Sequence, residues 1–367
     1  MKKYGQKELF LLWIDSFEGI AYNHKKEIYE MLAESERIKG ALVDNKDRIV
    51  HLVGEDNFGL LVNSANEVYL KYVLGELDKR GITAITFVSD GYPTLLLETD
   101  AYPLVLYAKG NLSLLNERLF AIVGSRKTPP IAIAVAEKYA TTLADAGLVL
   151  VTGIAEGVDS AVLNAALKGG RGVISVTAGG FDNIYPQANA QLFEEVAEKG
   201  LVLTEYPPSV QPKPYYFPIR NRIIAGLSIG TLIISGGLKS GTMHTAYYAI
   251  DYNRDLFAVP YGVGNVHGAG CNELIKKGAM LTDTPQDITG YYNIKVERDK
   301  PDLTDEECQI ITLLSGGGMH VEKICESTGK QIFEISPVLS VLEIKGLIVK
   351  TGTNIYGLTE NPAYLEE

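Results

Sequence analysis

The sequence has few cysteines, one tryptophan and no long apolar run. Its three cysteines, Cys271, Cys308 and Cys325, are far apart and form no CxxC, which argues against a disulfide framework and a zinc site. The longest apolar runs, Leu9–Ile14 and Leu148–Val151, are much shorter than the roughly 20 residues that span a bilayer. No small-residue cleavage site follows the first run. We therefore expect a cytoplasmic protein without metal, cofactor or membrane segment.

Positive charge is also scarce. The chain of 367 residues has 34 Lys and Arg against 45 Asp and Glu, a net charge of −11. An acidic total argues at first against nucleic acid, because phosphates are bound by Lys and Arg. The acid is not evenly spread, however: residues 1–117 carry 13 basic and 18 acidic side chains, 118–290 carry 14 of each, and 291–367 carry 7 and 13. The neutral middle part is where cations could gather on one face.

The hydrophobic pattern divides the chain into three parts. With 46% hydrophobic and 22% charged residues, the composition is that of a globular protein of two or three domains. Helical stripes such as Leu9, Leu12 and Trp13 predict an all-helical first part with a scaffolding role. The charged stretch 291–302 is typical of a linker. We predict domains at 1–78, 79–292 and 302–362.

The middle part alternates strand and helix patterns, which predicts a doubly wound α/β fold with a parallel sheet. Ligands of such sheets bind at the carboxyl ends of the strands. Two further strands are predicted before it, at Ile82–Val88 and Leu104–Tyr107. The six predicted strands of the middle part are Leu119–Val123, Leu148–Thr152, Gly172–Thr177, Leu201–Thr204, Gly230–Ile234 and Asp255–Val259. The predicted helices between them are Ile131–Ala146, Ser160–Lys168, Ala188–Lys199, Arg220–Leu227 and Thr242–Tyr252.

The last part shows helices followed by a hairpin, which predicts a winged helix. Residues 303–360 hold four Lys and no Arg against eight acidic residues, including Glu360. A net charge of −4 is unfavourable for duplex phosphates. We expect this part to bind protein or to have a structural role.

The first strand of the sheet ends in a loop with the chemistry of an anion site. Gly124, Ser125, Arg126 and Lys127 supply backbone N–H groups, a hydroxyl and two cations ahead of a helix. The loop has neither the GxGxxG nor the GxxxxGK[ST] pattern, so it is no standard nucleotide fingerprint. A tight turn with a surface arginine is the plainer alternative.

A second loop of the same kind joins the fifth strand of the sheet to a helix. Lys239, Ser240, Gly241 and Thr242 would surround an anion at the start of that helix. Taken alone the pattern is weak. It gains weight because both loops leave strands of one parallel sheet and should lie at the same edge.

A run of aromatic residues before two arginines is the most unusual stretch. Rings stack on bases and arginines pair with phosphates. In the sequence YYFPIRNR we therefore expect Phe217 and Arg220 to bind ligand. Asn221 and Arg222 are expected to be partly structural, with Arg222 paired to a carboxylate.

Two glycine-rich turns leave their role open. Asp159 follows the second strand and could cap the next helix or contact a ligand. Gly179 and Gly180 follow the third strand, at a place we interpret as the switch point of the sheet.

Together these stretches resemble the DprA/Smf family (DNA processing protein A). The matching segments are GSR at 124–126, GIAEGVDSAV at 153–162, GGFDNIYPQAN at 179–189, LTEYPP at 203–208, FPIRNRIIAGLS at 217–228, KSGT at 239–242, AVPYG at 258–262 and GCNELIKKGA at 270–279. The likeness extends to a helical domain of the sterile-alpha-motif (SAM-like) type before this core, which is Rossmann-like in the family, and to a winged helix after it.

The resemblance implies a homodimeric protein that binds single-stranded DNA and loads the RecA recombinase onto it during natural transformation, with no catalysis. It implies a dimer contact roughly within 246–277. By this likeness Arg126, Phe217 and Lys239 are the leading DNA contacts, followed by Gly124, Ser125, Lys127 and Arg220, with Ser240, Gly241 and Thr242 beside them. Gln187 stands where relatives often have a basic residue, and His244 also departs from the pattern.

Two other functions use the same loops. A phosphoribohydrolase of the lysine-decarboxylase-like type has a PGGxGTxxE signature, but here the proline is absent and Thr245 stands in place of the glutamate. A sensor of a free nucleotide signal would need only the anion-binding loops.

Overall fold

The computed structural model describes residues 3–35, 37–294 and 303–359. These residues form two compact units, which divide within the undescribed stretch 295–302. The first unit contains both the N-terminal helices and the large sheet. The predicted boundaries at 302 and 362 lie outside the described residues, and the boundary between 78 and 79 remains a prediction.

The described residues form sixteen α-helices and twelve strands. The helices are α1 (Gln6–Asp15), α2 (Tyr22–Leu32), α3 (Ile38–Asp44), α4 (Lys46–Ser64), α5 (Glu67–Lys79), α6 (Thr94–Leu97), α7 (Pro130–Asp145), α8 (Val158–Lys168), α9 (Ala190–Lys199), α10 (Tyr216–Leu227), α11 (Thr242–Asp251), α12 (Ala269–Lys276), α13 (Pro285–Tyr291), α14 (Asp305–Leu314), α15 (Val321–Thr328) and α16 (Ile332–Ile344). The strands are β1 (Thr83–Thr86), β2 (Val105–Gly110), β3 (Leu119–Gly124), β4 (Val149–Thr152), β5 (Val173–Val176), β6 (Leu201–Thr204), β7 (Gly230–Ser235), β8 (Asp255–Ala258), β9 (Met280–Leu281), β10 (Met319–His320), β11 (Ile348–Gly352) and β12 (Ile355–Leu358). Short 3₁₀ helices occupy Leu112–Asn116 and Gln187–Asn189.

One sheet of nine strands runs through the first unit, in the order β1-β2-β6-β5-β4-β3-β7-β8-β9. The six strands β3 to β8 are parallel, which confirms the predicted doubly wound sheet. β1 and β2 extend one edge in antiparallel pairing. The short strand β9 extends the other edge and was not predicted. From β3 the chain winds first toward β6 and then, from β7, in the opposite direction, so the switch point lies between β3 and β7.

The N-terminal helices pack on the sheet through a core that includes Trp13 of α1. A buried polar network reinforces this contact. The Lys25 ammonium donates to the Asp15 backbone carbonyl at 2.8 Å and to the Asp15 carboxylate at 3.1 Å, and the Tyr107 hydroxyl donates to the other carboxylate oxygen at 2.8 Å. Because a buried charge is tolerated only when it is paired and hydrogen-bonded, the network fixes α1, α2 and β2 in one arrangement.

The predicted linker is partly wrong. Tyr291 and Tyr292 both donate their hydroxyls to the carboxylate of Asp255, at 2.9 and 2.8 Å, and Ile294 donates its N–H to the carbonyl of Thr289. Residues 291–294 therefore belong to the first unit. The sequence pattern could not predict this contact, because the two tyrosines bond to Asp255, which is more than 30 residues away in the sequence.

The second unit has the predicted winged-helix architecture. Helices α14, α15 and α16 enclose a small core of their own. The hairpin β11–β12 follows, and β10 completes a three-stranded sheet in the order β10-β12-β11. β10 has only two residues, too few for a strand pattern to be visible in the sequence.

Candidate nucleic-acid interface

The two loops predicted to bind anions meet at the switch point. β3 and β7 are adjacent and parallel, and Gly124 at the end of β3 pairs with Ser235 at the end of β7. Both loops therefore leave the same edge of the sheet, as the strand pattern predicts. The proposed switch point at Gly179 and Gly180 is wrong, because these residues follow β5, which lies two strands away from β3.

A cavity of about 710 Å³ opens at this edge. The predicted site residues that line it are Gly124, Ser125, Arg126, Lys127, Phe217, Arg220, Ser240, Gly241 and Thr242. Lys239 does not line the cavity, although it lies in the same loop and its side chain is exposed. Segments from three parts of the sequence thus form one concave surface.

A cation and a ring stack at this cavity. The guanidinium carbon of Arg126 lies 4.7 Å from the ring centroid of Phe217. The ring of Tyr185 meets Phe217 edge to face, with 5.5 Å between centroids. A guanidinium over a ring is attracted by the ring's quadrupole, by about 0.5–1 kcal/mol at an exposed site. The pair presents a charge for phosphates and a flat apolar face for bases.

The cations at this edge are not neutralised by the protein. Among the described residues, no carboxylate lies within the 4.0 Å ion-pair distance of Arg126, Lys127 or Lys239, and all three side chains are exposed. By contrast, Arg80 and Lys109 in the same unit are paired with Asp182 and Glu194. The local charge at the cavity is therefore positive although the chain as a whole is acidic.

Arg220 reaches the cavity from a buried position. It is only 5% exposed, and its guanidinium donates to the carbonyl of Val176 and to the side-chain oxygen of Asn221. Burial lowers the pKa of Arg220 to about 10, while the negative charge of Asp159 opposes this shift. Burial also raises the pKa of Asp159, an effect that the charge of Arg220 opposes. Arg220 and Asp159 thus form the floor of the cavity, whereas Arg126 stands at its rim.

Asp159 does not cap helix α8. The N-cap is Gly157, and the carboxylate of Asp159 accepts a hydrogen bond from the N–H of Ala155 at 3.3 Å. Arg222 is buried and paired with Glu205, as predicted. Asn221 is half-buried, and its side-chain amide donates to the carbonyl of Gly241, which ties α10 to the loop that precedes α11.

Among the described residues, only one of the two predicted anion-binding loops brings the start of a helix to the cavity. Among the described residues that line the cavity, Gly241 and Thr242 lie at the start of α11, whereas none belongs to the first turn of α7. The backbone N–H of Ser125 is not available to a ligand, because it donates a hydrogen bond to the hydroxyl of Ser235 at 3.2 Å. The hydroxyl of Thr128 donates to the same oxygen at 2.9 Å. These bonds hold the first loop in place, so its contribution is the positioned side chain of Arg126.

Close backbone packing also fixes the loop. Gly157 has φ +84°, and a β-carbon there would lie 2.6 Å from the carbonyl oxygens of Ser125 and Arg126. Gly180 has a similar role elsewhere, since a β-carbon there would meet the carbonyl oxygens of Pro207 and Pro208. The glycines of these turns therefore serve chain packing rather than direct approach to a ligand.

Gly157→Ala is expected to lower the free energy of unfolding by about 2–3 kcal/mol, from the strained φ and the displaced loop. Gly147→Ala is the matched control: Gly147 has φ +88°, but a β-carbon there meets nothing within 4 Å. It should cost about 1 kcal/mol. Urea unfolding measures both. Equal losses would contradict the packing argument.

Sequence reasoning missed Tyr185, Pro212, Pro214 and Thr245 as lining residues. A tyrosine a few residues after the glycine pair Gly179 and Gly180 was a usable signal for Tyr185. The prolines gave none, because their position depends on how the segment after β6 folds back over the sheet.

Within residues 3–35, 37–294 and 303–359, no cluster of three or more His, Cys, Asp or Glu side chains could hold a metal ion. No helix in that part of the chain has the length and apolarity needed to cross a bilayer.

Two family models match the chain. Residues 83–293 match DNA recombination-mediator protein A, and residues 295–352 match the DprA winged helix domain. Among curated relatives, the DNA processing protein DprA of Bacillus subtilis is 37% identical over 231 residues, 62% of this chain and 78% of that protein. Protein Smf of Escherichia coli is 33% identical over 273 residues, 71% of this chain and 73% of that protein.

Solved structures agree with the sequence matches. DprA of Streptococcus pneumoniae superposes with a TM-score of 0.66 at 31% identity, over 79% of this chain and 98% of that chain. DNA processing protein A of Helicobacter pylori, whose structure concerns its single-stranded DNA binding mode, superposes with a TM-score of 0.53 at 30% identity, over 58% and 95%. These matches, together with the parallel sheet and the winged helix, show that the chain belongs to the DNA recombination-mediator protein A (DprA/Smf) family.

Proposed function

We propose that this protein binds single-stranded DNA at the switch-point cavity without catalysing a reaction on it. The observation that carries the proposal is the stack of Arg126 on Phe217 at the cavity, which Lys127 also lines. Lys127 and the exposed Lys239 of the second loop have no carboxylate partner among the described residues. Binding without sequence preference needs charges for the backbone and rings for the bases, with stacking worth about 1–3 kcal/mol per base. The single-stranded DNA binding of the Helicobacter pylori relative supports the same ligand.

The cavity wall favours binding over bond-breaking. Of the described residues that line it, Asp159 alone carries a carboxylate, and that group is buried and hydrogen-bonded to Ala155. Thr245, at the place of the phosphoribohydrolase glutamate, is buried at the wall. General acid–base chemistry needs a titratable group within reach of the substrate's proton. The lining supplies cations, hydroxyls and rings instead.

We infer further that the bound strand is delivered to the RecA recombinase during natural transformation and homologous recombination, and that the protein acts in the cytoplasm as a homodimer. Family membership supports this role. Support for the dimer contact within 246–277 comes from large apolar side chains in that range that are exposed, namely Tyr247, Ile250, Val263 and Val266. The rate of RecA assembly on the same strand, with and without this protein, tests the delivery step.

A titration with labelled oligonucleotides tests the binding function. Anisotropy of a fluorescent single strand of about 30 nucleotides should rise at lower protein concentration than that of the matching duplex. The affinity should fall as salt increases, because phosphate contacts release counterions. Preference for duplex, or no binding at low salt, would contradict the proposal.

A sensor of a free nucleotide is the second candidate, because a cavity of about 710 Å³ lies within the usual size range of small-ligand sites. A thermal shift with micromolar mononucleotide, and none with oligonucleotide, would favour it. Release of free base from nucleoside monophosphates would favour the phosphoribohydrolase instead.

A further inference from the structure

Helix α16 of the second unit is apolar on two opposite faces. Its inner face carries Ile335, Leu339 and Leu342, which are buried in the core of the unit. Its other face carries Phe333, Pro337, Val341 and Ile344, here called the outer stripe. Phe333 is 73% exposed and Ile344 is 85% exposed. The spacing of these four residues places them along one line of an α-helix. A row of exposed apolar side chains opposite the buried face of a helix is typical of a surface that binds a partner.

The two serines within the outer stripe do not make it polar. The hydroxyl of Ser336 donates to the carbonyl of Ile332 at 2.7 Å. The hydroxyl of Ser340 donates to the carbonyl of Ser336 at 3.0 Å. Both hydroxyls are turned back onto their own helix, as is common for mid-helix serines. The stripe therefore has a continuous apolar surface to offer.

Negative charge flanks the outer stripe on both sides. At about 100° of rotation per residue, Glu334 falls on one side of the stripe and Glu343 on the other. Lys345 does not offset them, because its ammonium is held by both carboxylate oxygens of Glu307, at 2.7 and 2.8 Å. Across 303–359 the described chain has four lysines against seven acidic residues, and Lys330 is also paired, with Glu306.

This surface does not suit a nucleic acid. In DNA-binding proteins of the helix-turn-helix type, the second helix of the motif enters the groove with polar and basic side chains. Here the helix that precedes the hairpin offers apolar side chains between glutamates. Phosphates would be repelled by the glutamates and would leave the apolar surface without a partner.

We propose that the outer stripe of α16 binds an amphipathic helix of a partner protein, whose apolar face is flanked by Lys or Arg. A helix of this kind would cover the four apolar side chains and place its cations against Glu334 and Glu343. The proposal does not depend on DNA binding by the first unit.

The test uses the full chain and labelled peptides of about 18 residues. One peptide forms a helix with a leucine stripe flanked by lysines. A second has the same composition in scrambled order, and a third has glutamates in place of the lysines. Fluorescence anisotropy should show binding of the first peptide that is at least tenfold tighter than that of the other two. Hydrogen exchange should show protection of 332–344 by the first peptide.

A double variant, Phe333→Ser with Ile344→Ser, should lose this binding while its circular dichroism and melting stay unchanged, since both side chains are exposed. Val68→Ser is the matched control, because Val68 is an exposed apolar residue of α5 in the other unit. Equal binding of all three peptides, or unchanged binding by the double variant, would overturn the proposal. Self-association of the protein that the double variant abolishes would also overturn it, because the occupant would then be a second copy of the chain.

Discussion

Arg126→Ala is expected to weaken the binding of single-stranded DNA by about 10–100-fold at physiological ionic strength. The substitution removes one phosphate charge, and it removes the guanidinium that lies over Phe217 at 4.7 Å. Without that guanidinium the ring loses the group that orients it for a base, and stacking contributes about 1–3 kcal/mol. Since each 1.4 kcal/mol is tenfold in affinity, the expected range follows. Fluorescence anisotropy with a labelled single strand measures it.

The salt dependence distinguishes charge from stacking. Arg126→Ala should reduce the slope of log affinity against log salt by about one, whereas Phe217→Leu should weaken binding and leave the slope unchanged. Arg171→Ala is the matched control. Arg171 is an exposed arginine just before β5, at the amino ends of the parallel strands, whereas the cavity lies at their carboxyl ends. An Arg126→Ala protein that binds as tightly as the Arg171→Ala protein would contradict the site.

Arg222→Met is expected to lower the free energy of unfolding by about 3–5 kcal/mol. The guanidinium of Arg222 is bonded to the carboxylate of Glu205, and both side chains are almost fully buried. Removal of the arginine leaves an uncompensated charge in a site with little access to water. Lys71→Met is the matched control: the Lys71–Glu67 pair is exposed, so its loss should cost well under 1 kcal/mol.

The double variant Glu205→Leu with Arg222→Met should recover most or all of that loss. Within the part of the chain that the structure describes, one carboxylate oxygen of Glu205 and one terminal nitrogen of Arg222 have no hydrogen-bond partner although both are buried. Replacement of both partners by apolar groups removes the cost of burying two charges and two unbonded polar atoms. It also leaves no lone charge behind, so the lost attraction between the two groups is largely offset. Urea unfolding at neutral pH gives the three free energies. If the double variant is as unstable as the single one, burial of the lone charge is not the cause.

The cost of Arg222→Met should also depend on pH. Burial raises the pKa of Glu205, and the charge of Arg222 opposes this shift, so the variant raises the pKa further. A carboxyl whose pKa is higher in the folded than in the unfolded state binds more protons when folded, and stability then falls as pH rises through the interval between the two values. The variant should therefore lose more stability at pH 8 than at pH 5. A loss that is independent of pH would contradict this explanation.

Much of the architecture could be predicted because strand and helix periods alternate clearly between Leu119 and Ala258. The common position of the loops after β3 and β7 also followed from the sequence, because parallel strands point their carboxyl ends the same way. The placement of Arg220 and Arg222 could not be predicted in full. Both arginines occur in one short motif of α10, whereas their partners are the carbonyl of Val176 at the end of β5 and the carboxylate of Glu205 just after β6.

The sequence predicts that Arg126 and Phe217 belong to one site, but it does not predict that the two side chains stack on each other. It depends on how far the first loop extends, and the bonds from Ser125 and Thr128 to Ser235 fix that loop. Serine and threonine are so common in loops that their presence in the sequence does not indicate hydrogen bonds of this kind. The two-residue strands β9 and β10 were missed for a different reason, since a strand that short has no visible alternation.

Helix α10 carries both Phe217 at the cavity and the buried Arg220 and Arg222, so one element serves the proposed recognition of DNA and the folding of the unit. Few substitutions in this helix can alter ligand preference without also altering the yield of folded protein. Engineering of a different ligand preference should therefore begin in the rim loops, where Arg126, Lys127 and Lys239 are exposed and can be replaced independently. Loss of DNA binding by an α10 variant means little until its stability is known, whereas the same loss by a rim variant reports on the site itself.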